Sequence, residues 1–295
     1  MKNIFILGSI NTDLVITTPY MPNKGETLIG KDFFTAHGGK GANQAVAAAR
    51  AEGQVYMCGC VGDDLFGKSA LEALEKESIN CEHVKVIKGV PTGTAVIVIC
   101  DGDNRIILDS GANVRITREQ IDSFLLKANK GDIFLTQLEN PIDIIGYALK
   151  QAKEKEMLVV LNPAPANKAI EQYLKYVDIL IPNEGECDLL GGKEKLLNMV
   201  KCLVVTLGDK GFRIINDQIN EIFPCIKIEP VDTTAAGDTF CGAMLAKYSK
   251  CNNLIISAKY GSCAASIACT RKGAQPSIPN SDEIETISSS LSLDI

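Results

Sequence analysis

One segment in the last quarter of the chain carries the residue types that phosphoryl transfer to a hydroxyl needs. Residues 235–237, two alanines and a glycine, come directly before an amphipathic helical pattern that opens with Asp238, and Asp232 lies six residues earlier than Asp238. The first amides of a helix favour an anion, because they point along its axis at its positive end. Amides that hold the moving charge beside a carboxylate that accepts a proton would suit this reaction. The alternative is that Asp238 only caps the helix.

A glycine-rich turn, HGGKGANQAVAAAR at residues 37–50, is a second candidate binding segment. It does not match the dinucleotide fingerprint, since the third glycine or alanine is missing at the required spacing and no apolar strand precedes it. Glycines that let a small polar ligand approach the backbone, with Lys40 and Asn43 as donors, are one interpretation. A turn that simply leads into a helix is the other.

Two further pairs of polar residues have spacings that could bind a ligand. Asn11 and Asp13 follow the first apolar strand, where ligands bind in open α/β sheets, and could donate to and accept from a vicinal diol. Asn183 and Glu186 are three residues apart, so on a helix they share a face and could orient magnesium-bound waters. Each pair alone could equally be an ordinary polar turn.

The segment GDDLFGKS, residues 62–69, matches the P-loop pattern G-x-x-x-x-G-K-S/T letter for letter. A P-loop works because successive backbone amides converge on phosphate oxygens. Here Asp63 and Asp64 would repel those oxygens, and Leu65 and Phe66 would crowd the turn. We therefore interpret the segment as a strand-to-helix turn capped by one of the two aspartates. A nucleotide hydrolase that uses Lys68 is the competing hypothesis.

The elements that must position these residues alternate along the chain. Apolar strand patterns occur in NIFILGS, QVYMCGC, DIFLTQL, MLVVLNP, DILIPN and CLVVTLG. Helical patterns occur in ANQAVAAARAE, KSALEALEKE, TREQIDSFLLKANK, PIDIIGYALKQAKEK, DTFCGAMLAKYSK and NLIISAKYGSCAASIACT. This alternation predicts one α/β domain over residues 1–295, with a mainly parallel sheet covered by helices on both faces.

Two regions depart from this alternation. Residues 12–37 and approximately 90–110 have short strand patterns separated by turn signals, including a hairpin signal at Asp101-Gly102-Asp103. We expect them to form a small antiparallel sheet outside the main one. Such a sheet could act as a lid or as a dimer surface.

Composition excludes several classes of function. The net charge is −6 without a basic block, which disfavours a nucleic-acid partner. No apolar run is long enough to span a membrane, and the first apolar run, broken by Asn11 and Asp13, reads as a buried strand. The 11 cysteines have no metal-binding or redox spacing, and His37 and His83 lie near no cysteine pair. We expect reduced thiols and a cytoplasmic location.

Taken together and in this order, the segments resemble the ribokinase family of carbohydrate kinases, the PfkB-type kinases. The resemblance runs nearly end to end, and GGKGANQAVAAA and DTTAAGDTF are its most specific motifs. It continues through GSINTDLV, QLE, LNPAPA, PNEGE, TLGDKG and TRKGAQPSIP, the last of which is typical of the ribokinases within the family. It implies a three-layer α/β/α fold with a β-lid that also pairs two protomers. It implies ATP-dependent phosphorylation of D-ribose at the 5-hydroxyl.

The resemblance also implies roles for individual residues. Asp238 would be the general base, and the amides of Ala235, Ala236 and Gly237 would form the anion hole. The implied ribose-binding residues are Asn11, Asp13, Gly39, Lys40, Asn43, Glu139 and Asp238. The implied ATP-binding residues are Asn183, Thr206, Leu207, Gly208, Asp209, Lys210, Gly211 and Gly237. Potassium would be bound by Asp232, Thr234, Ala268, Arg271, Gly273 and Ser277, mostly through backbone carbonyls, and magnesium by Glu186 through water.

One position departs from the family pattern. Ser262 stands where the family often carries a histidine or asparagine near the adenine, which puts that contact in doubt. Other acceptors, namely deoxyribose, fructose or adenosine, remain open because the sugar-binding residues do not count the carbons of their ligand. A sugar-responsive binding protein without catalysis is a further alternative, against which the presence of both Asp232 and Asp238 argues.

Overall fold

The computed structural model describes residues 1–101 and 103–291. Its strands are β1 (Asn3–Leu7), β2 (Asn11–Thr17), β3 (Lys31–Gly38), β4 (Gln54–Gly62), β5 (Asn80–Ile87), β6 (Gly93–Cys100), β7 (Asp103–Asp109), β8 (Ile133–Thr136), β9 (Leu158–Leu161), β10 (Ile179–Leu180), β11 (Cys202–Thr206), β12 (Phe212–Ile215) and β13 (Asn220–Phe223). Its α-helices are α1 (Lys40–Arg50), α2 (Leu65–Lys76), α3 (Arg118–Leu125), α4 (Ile142–Glu154), α5 (Glu184–Leu189), α6 (Lys193–Leu197), α7 (Ala236–Cys251), α8 (Leu254–Ala268) and α9 (Ser281–Ser290).

In the described ranges, nine strands form the main sheet, in the order β13-β12-β11-β10-β9-β8-β1-β4-β5. Neighbours from β11 through β5 run parallel, while β12 and β13 are added antiparallel at one edge. A second sheet has the order β3-β2-β6-β7 and forms the small lid. The predicted α/β fold with a mainly parallel central sheet and a small β-lid is confirmed.

The first strand shows why the fold has three layers. Its side chains alternate, so that Ile4 and Ile6 join one buried apolar cluster while Phe5 and Leu7 join another on the opposite face. Residues of α1, α7 and α8 pack into the first cluster, and residues of α3 and α4 pack into the second. Because both faces are covered, this strand is apolar at almost every position.

All six strands and all six helices that the sequence patterns indicate are present. The patterns did not indicate β5, β12 or β13, nor α5, α6 or α9. Strands β5 and β13 are the two edges of the main sheet, and β12, α5 and α6 have six residues or fewer, so their periodicity is weak. Helix α9 contains only two apolar residues, Ile284 and Ile287. Strand β13 has a single buried residue, Phe223, and α6 has a single buried residue, Leu196.

The expectation of an antiparallel second sheet is wrong for one of its pairings. Strands β2 and β6 run parallel, with Asp13 opposite Ala95, whereas β3 pairs antiparallel with β2 and β7 pairs antiparallel with β6. The two central strands come from distant segments, so a long crossover joins them and no hairpin imposes opposite directions. The predicted hairpin at Asp101-Gly102-Asp103 joins β6 to β7, although Gly102 itself lies outside the described residues.

Two further sequence expectations bear on the described residues. None of their helices is long and apolar enough to cross a membrane. All 11 cysteines lie within the described ranges, and each is a free thiol.

The segment GDDLFGKS forms a capped turn between β4 and α2. The Asp64 carboxylate is the N-cap of α2 and accepts from the Gly67 amide at 2.8 Å. It also accepts from the Thr92 hydroxyl at 2.6 Å and the Thr92 amide at 2.8 Å. Lys68 points to solvent, with 76% of its side chain exposed, and its ammonium is 4.0 Å from Glu72. The carboxylate therefore occupies the Gly67 amide, which is one of those that a phosphate in a P-loop would need.

We predict that Asp64 matters for folding and Lys68 does not. Asp64→Ala removes the cap and three hydrogen bonds, and should lower the free energy of unfolding by about 2 kcal/mol. Lys68→Ala removes a long exposed ion pair and should change the free energy of unfolding by less than about 0.5 kcal/mol. Urea denaturation measures both. A Lys68→Ala protein that has lost nucleotide-dependent turnover would show instead that the P-loop interpretation is right.

Candidate active site

Eight of the candidate residues line a cavity of about 210 Å³ at the carboxyl ends of β9, β10 and β11, beside the N-terminus of α7. This is the sheet edge at which open α/β folds bind their ligands. The lining residues are Lys40, Asn162, Ala164, Ile181, Asn183, Glu186, Thr206, Thr233, Ala235, Ala236, Gly237, Asp238 and Cys241. Eight of these thirteen are site residues predicted from the sequence. The sugar-binding candidates Asn11, Asp13, Gly39, Asn43 and Glu139 do not line the cavity.

The start of α7 is built to leave room for an anion. Ala235 has φ of 60° and ψ of 11°, the left-handed region, which turns the chain sharply into the helix. A Cβ built on Gly237 would meet nothing within 4 Å, so protein packing does not explain the missing side chain at this position. The amide of Ala236 donates to the Thr233 carbonyl at 3.2 Å, while the first-turn amides of Gly237 and Asp238 have no partner within the helix.

Both oxygens of the Asp238 carboxylate accept hydrogen bonds from α1. Asn43 Nδ2 lies 3.0 Å from Oδ2, and Gln44 Nε2 lies 2.9 Å from Oδ1. Only 6% of Asp238 is exposed, although it lines the cavity. The helix that follows the glycine-rich turn therefore holds the candidate base, because α1 packs directly against α7.

Asn11 and Asp13 alternate with Thr12 along β2 and so share one face of the strand. Asn113 Nδ2 donates to Asn11 Oδ1 at 2.7 Å, and the Ile10 amide donates to Asn113 Oδ1 at 2.9 Å. With its carbonyl occupied, Asn11 presents its amide N–H groups as donors.

Asp13 accepts none of the side-chain hydrogen bonds recorded among the described residues. Burial, followed by repulsion from Glu139 and Asp238, raises its pKa from 3.8 to about 6. An acceptor without donors beside a set of N–H donors matches the complementary pair that a diol requires.

Lys40 is a half-buried cation among these carboxylates. Attraction to Asp238, opposed by burial and reinforced by Glu139 and Glu186, raises its pKa above the usual value, so the ammonium stays charged. The Lys40 amide also donates to Glu139 Oε2 at 3.1 Å, and Ser9 contacts the same oxygen. This lysine offsets part of the negative charge that the site collects.

The glycines of the GGKGAN turn are required by the protein itself at close contacts. Gly39 has φ of 87°, and a Cβ there would lie 2.8 Å from both the Asn11 amide nitrogen and the Ser9 carbonyl oxygen. Any larger residue would push the turn away from β2. The turn therefore brings Lys40 and Asn43 toward Asn11.

Asn183 and Glu186 form a capping box at the start of α5. Asn183 Oδ1 accepts from the Glu186 amide at 2.8 Å, and Glu186 Oε2 accepts from the Asn183 amide at 2.9 Å. Both residues line the cavity. Burial raises the pKa of Glu186, although the Asn183 hydrogen bond and the charge of Lys40 oppose the rise. The structural role and a role toward bound water are therefore compatible, since Glu186 Oε1 has no protein partner among the described residues.

The predicted nucleotide segment follows β11 as an exposed turn. Thr206 lines the cavity, and its amide donates to the Pro182 carbonyl at 2.9 Å. Leu207, Gly208, Asp209, Lys210 and Gly211 do not line the cavity but form a tight turn beside it, closed by a bond from the Leu207 amide to the Gly211 carbonyl at 2.8 Å. Ser262 is buried in α8 and also does not line the cavity.

Three of the predicted cation-binding residues are joined by hydrogen bonds. Asp232 Oδ1 accepts from the Thr234 amide at 2.9 Å and from the Thr234 hydroxyl at 2.6 Å, and Oδ2 accepts from the Gly273 amide at 2.9 Å. Burial alone raises the pKa of Asp232, but these bonds outweigh it and hold the pKa below its ordinary value. The Arg271 guanidinium pairs with Glu283, which leaves only the Arg271 backbone for a cation.

The remaining two members of that set are less directly connected. The Ala268 carbonyl accepts from the Arg271 amide at 3.0 Å, and the Ser277 hydroxyl donates to the Ala274 carbonyl at 2.7 Å. Carboxylate and carbonyl oxygens are the groups that replace the hydration shell of a hard cation. The donor types therefore fit potassium, although within the described residues no group of three or more histidine, cysteine, aspartate or glutamate side chains could hold a metal ion.

Several polar residues of the site were not predicted from the sequence patterns. Gln44, Gln137 and Asn162 form a buried hydrogen-bonded group behind Asp238, and Asn113 stands behind Asn11. Three of them lie inside motifs that carried the resemblance, GGKGANQAVAAA, QLE and LNPAPA. The sequence signal that could have identified these residues is a side-chain amide within an otherwise apolar helix or at the end of an apolar strand.

A larger cavity, of about 450 Å³, contains none of the candidate residues. It is lined by Lys153, Lys175, Val177, Asp178, Leu197, Asn198, Met199, Val200, Lys201, Ile215, Asn216 and Asp217. Its Asp178 is paired with Lys153 at 2.5 Å and with Lys201 at 3.3 Å, so its charges largely satisfy one another. Size alone does not identify the site.

Comparisons with known proteins agree with this geometry. Residues 1–281 match the family model described as pfkB family carbohydrate kinase. The chain is 36% identical over 296 residues to a ribokinase of Haemophilus influenzae, covering 96% of this chain and 97% of that one. It is 32% identical over 299 residues to a deoxyribokinase of Salmonella typhimurium, covering 95% of this chain and 97% of that one.

Solved structures show the same similarity. A ribokinase of Thermotoga maritima has a TM-score of 0.87 and 36% identity, covering 97% of this chain and 99% of that chain. An Arabidopsis thaliana ribokinase, complexed with ribose and ATP, has a TM-score of 0.86 and 29% identity, covering 97% of this chain and 98% of that chain.

The raised pKa of Asp13 predicts a pH-dependent gain of stability in Asp13→Asn. The folded carboxyl binds its proton up to about pH 6 and the unfolded one only up to about 3.8, so ionisation destabilises the fold as the pH rises between these values. Asparagine has no such charge. The free energy of unfolding of Asp13→Asn minus that of the parent should be greater at pH 7.5 than at pH 4.5 by about 2 kcal/mol.

Urea denaturation at the two pH values measures this difference. Asp188→Asn, at an exposed position in α5, is the matched control and should differ from the parent equally at both. If the Asp13→Asn difference were also independent of pH, the carboxyl would not be destabilised by its surroundings.

Proposed function

Because this chain belongs to the pfkB family of carbohydrate kinases, we propose that it transfers the γ-phosphoryl group of ATP to the 5-hydroxyl of D-ribose, giving D-ribose 5-phosphate and ADP. The observation that carries the proposal is the hydrogen bond between Asn43 and Asp238 at 3.0 Å. It joins the diol-binding residues to a carboxylate at the start of α7, where the helix favours an anion. The ribokinase relatives at 36% identity support ribose as the acceptor.

In the proposed reaction Asp238 is the general base. It takes the proton of the 5-hydroxyl as the bond from that oxygen to the γ-phosphorus forms and the bond from phosphorus to ADP breaks. ADP leaves with the electron pair of the broken bond, and the proton remains on Asp238. The amides of residues 235–237 hold the negative charge of the phosphoryl oxygens during transfer.

The sugar would be held by the residues around Asp13. The Asn11 amide N–H groups would donate to one hydroxyl and the Asp13 carboxylate would accept from another. Asn43 Oδ1 is buried and has no hydrogen-bond partner in the described part of the chain, so a sugar hydroxyl would satisfy it. Gly39, Lys40 and Glu139 would complete the sugar site, since the Lys40 amide at the end of the turn donates to Glu139 Oε2 at 3.1 Å.

ATP would extend from the start of α7 toward the turn after β11. Its phosphates would approach Gly237, where no side chain intervenes, and Thr206 with the following turn and Asn183 would contact the rest of the nucleotide. Magnesium, when bound with ATP, supplies positive charge to the phosphate oxygens. Glu186 would hold one of its waters through the oxygen that the capping box leaves free.

A monovalent cation, potassium, would bind beside the anion hole. It would supply fixed positive charge near the turn that leads into α7. Asp232, Thr234 and Gly273 would hold it together with the carbonyls of Ala268 and Arg271 and with Ser277. The hydrogen bonds around Asp232 support this proposal, because they keep its carboxylate ionised.

Another acceptor is the alternative within the same chemistry. The deoxyribokinase relative at 32% identity favours deoxyribose as the second candidate, and fructose and adenosine remain further candidates. The structure supports a small polyhydroxylated ligand, because each sugar-binding residue offers a separate donor or acceptor.

A kinase assay over a panel of acceptors tests the function. We expect kcat/KM with ATP and magnesium to be highest for ribose, ahead of deoxyribose, fructose and adenosine, and to fall when potassium is replaced by an organic cation. A higher value for another acceptor would change the substrate. Absence of product with every acceptor would support a binding protein instead.

Asp238→Asn in the same assay tests the assigned base. Asparagine keeps the size of the side chain and can accept one of the two hydrogen bonds, but it does not accept the proton, so kcat should fall about 1,000-fold with ribose binding nearly unchanged. Turnover close to that of the parent would remove Asp238 from this role.

We also propose that two protomers pair through the lid. The supporting observation is a group of exposed apolar side chains on this small sheet: Phe33, Phe34, Val96, Ile106, Ile107 and Leu108. Ile106→Lys should shift sedimentation velocity profiles toward the monomer. Ile222→Lys, with a similar exposure of 55% against 56% but on β13, is the matched control. A parent that sediments as a monomer at all concentrations would refute the pairing.

A cytoplasmic location is the matching proposal for the cell. Eleven free thiols in one chain are most easily kept reduced there. Fractionation of cells that express the tagged chain tests this, and recovery outside the cytoplasmic fraction would contradict it.

A further inference from the structure

Buried amide side chains form a continuous series of hydrogen bonds that ends at the Asp238 carboxylate. Gln137 Nε2 donates to Gln44 Oε1 at 2.6 Å. Gln44 Nε2 donates both to Asp238 Oδ1 at 2.9 Å and to Asn162 Oδ1 at 3.0 Å. Asn162 Nδ2 donates to the Ile181 carbonyl at 2.8 Å. Three elements thereby contact one carboxylate directly or through an intermediary.

Two members of this series are shielded from solvent and from the cavity. Gln44 is 0% exposed and Gln137 is 1% exposed, and neither lines the cavity. Because at most 1% of either residue is exposed, neither side chain is placed to bind sugar or nucleotide. Any effect they have on the reaction must pass through the groups that they contact.

This series of amides stabilises the core less than apolar side chains of the same volume would. Gln137 Oε1 is buried without a hydrogen-bond partner among the described residues, which leaves the network incompletely satisfied. A partly satisfied polar network is less stabilising than apolar packing of the same volume. This disadvantage makes sense if the amides have a task that apolar side chains could not perform.

The ends of the series determine the orientation of every amide in it. The Ile181 carbonyl only accepts, so it binds the Asn162 NH₂ group and turns Asn162 Oδ1 toward Gln44. Gln44 must then present its NH₂ group to Asn162 and to the Asp238 carboxylate, which also only accepts. Its remaining oxygen is left for Gln137 Nε2.

We propose that Gln44 and Gln137, with Asn162, are positioning residues that fix the plane of the Asp238 carboxylate for proton transfer. Gln44 holds Oδ1 while its chain neighbour Asn43 holds Oδ2 at 3.0 Å, so the carboxylate cannot rotate about its Cβ–Cγ bond without losing a donor. The lone pairs left over are then directed at one place in the cavity. This inference rests on the proposed role of Asp238 as general base.

The expected effect appears in the chemical step. Misplacement of a reacting group by about 1 Å can reduce a rate about 100-fold, whereas substrate binding through other residues is little changed. Loss of Gln137 leaves Gln44 Oε1 without a donor, so the plane of the Gln44 amide is held less firmly against Asp238 while Asn162 still sets which end faces the carboxylate. Turnover should fall while the affinity for each substrate is kept.

Gln137→Met tests this with little change in shape, since methionine is unbranched and similar in length but lacks the amide. We expect kcat to fall about 10- to 100-fold, with KM for ribose and for ATP within about 3-fold of the parent. Gln120→Met is the matched control, because Gln120 is 2% exposed and donates to the Gly59 and His83 carbonyls far from Asp238. Its kcat should stay within about 2-fold of the parent.

A double-mutant cycle with Asp238→Asn separates positioning from a structural effect. If Gln137 acts through the carboxylate, Gln137→Met should lower kcat by less than about 3-fold in the Asp238→Asn background. The same loss in both backgrounds would overturn the inference, and so would an unchanged kcat in the single variant. Should Gln137→Met fail to fold, Gln44→Met is measured in the same cycle.

Activity of the parent distinguishes the two ideas. A parent that transfers no phosphoryl group to any acceptor refutes the proposed function and this inference with it. An active parent with an unaffected Gln137→Met variant refutes the positioning role alone.

Discussion

The electrostatic balance around Lys40 is the constraint on which the site depends. Asp13, Glu139, Glu186 and Asp238 all lie close enough to interact, and most of them are buried or half-buried. Such a group of carboxylates would drive one another toward protonation unless a cation were held among them. Lys40 is that cation, and attraction to Asp238 is the largest influence on its pKa. Its backbone is fixed by Gly39, whose close contact with β2 leaves little freedom for the turn.

The compensation of negative charge is incomplete at Asp13. Lys40 offsets the charges nearest to it, yet the pKa of Asp13 remains raised to about 6, and its carboxylate finds no donor among the described residues. Asp13 therefore lowers the stability of the free protein, at a position where the proposed sugar would supply the missing hydrogen-bond donors. The same applies to Asn43 Oδ1, which is buried and has no partner within residues 1–101 and 103–291. Binding sites commonly carry groups that are satisfied only when the ligand is present.

Sequence patterns predicted the main sheet and its helices because these elements repeat the same alternation of apolar and polar residues. The alternation of apolar strands with helices indicated the central sheet, and Asp238 after two alanines and a glycine indicated the start of α7. The parallel pairing of β2 with β6 could not be predicted from the sequence. The relative direction of two strands depends on the path of the long connection between them and not on local residues. The edge strand β13 was missed because it has one buried residue, and β12 because it has only four residues. GDDLFGKS could be interpreted correctly only because Asp63 and Asp64 oppose a phosphate, and the structure adds that Asp64 binds Thr92.

The orientation of individual side-chain amides also could not be predicted from the sequence. This orientation decides which hydrogen-bonding groups the site presents to a ligand. Asn11 could be a donor or an acceptor, and only the bond from Asn113 Nδ2 to its oxygen makes it a donor. Gln44 likewise could face Asp238 with either end of its amide, and the carbonyl of Ile181, acting through Asn162, selects the NH₂ end. In each case a residue distant in sequence sets the orientation, so the letters of a motif give the chemical groups without their direction. Specificity for a hydroxyl pattern therefore resides as much in the buried residues behind the site as in those that line it.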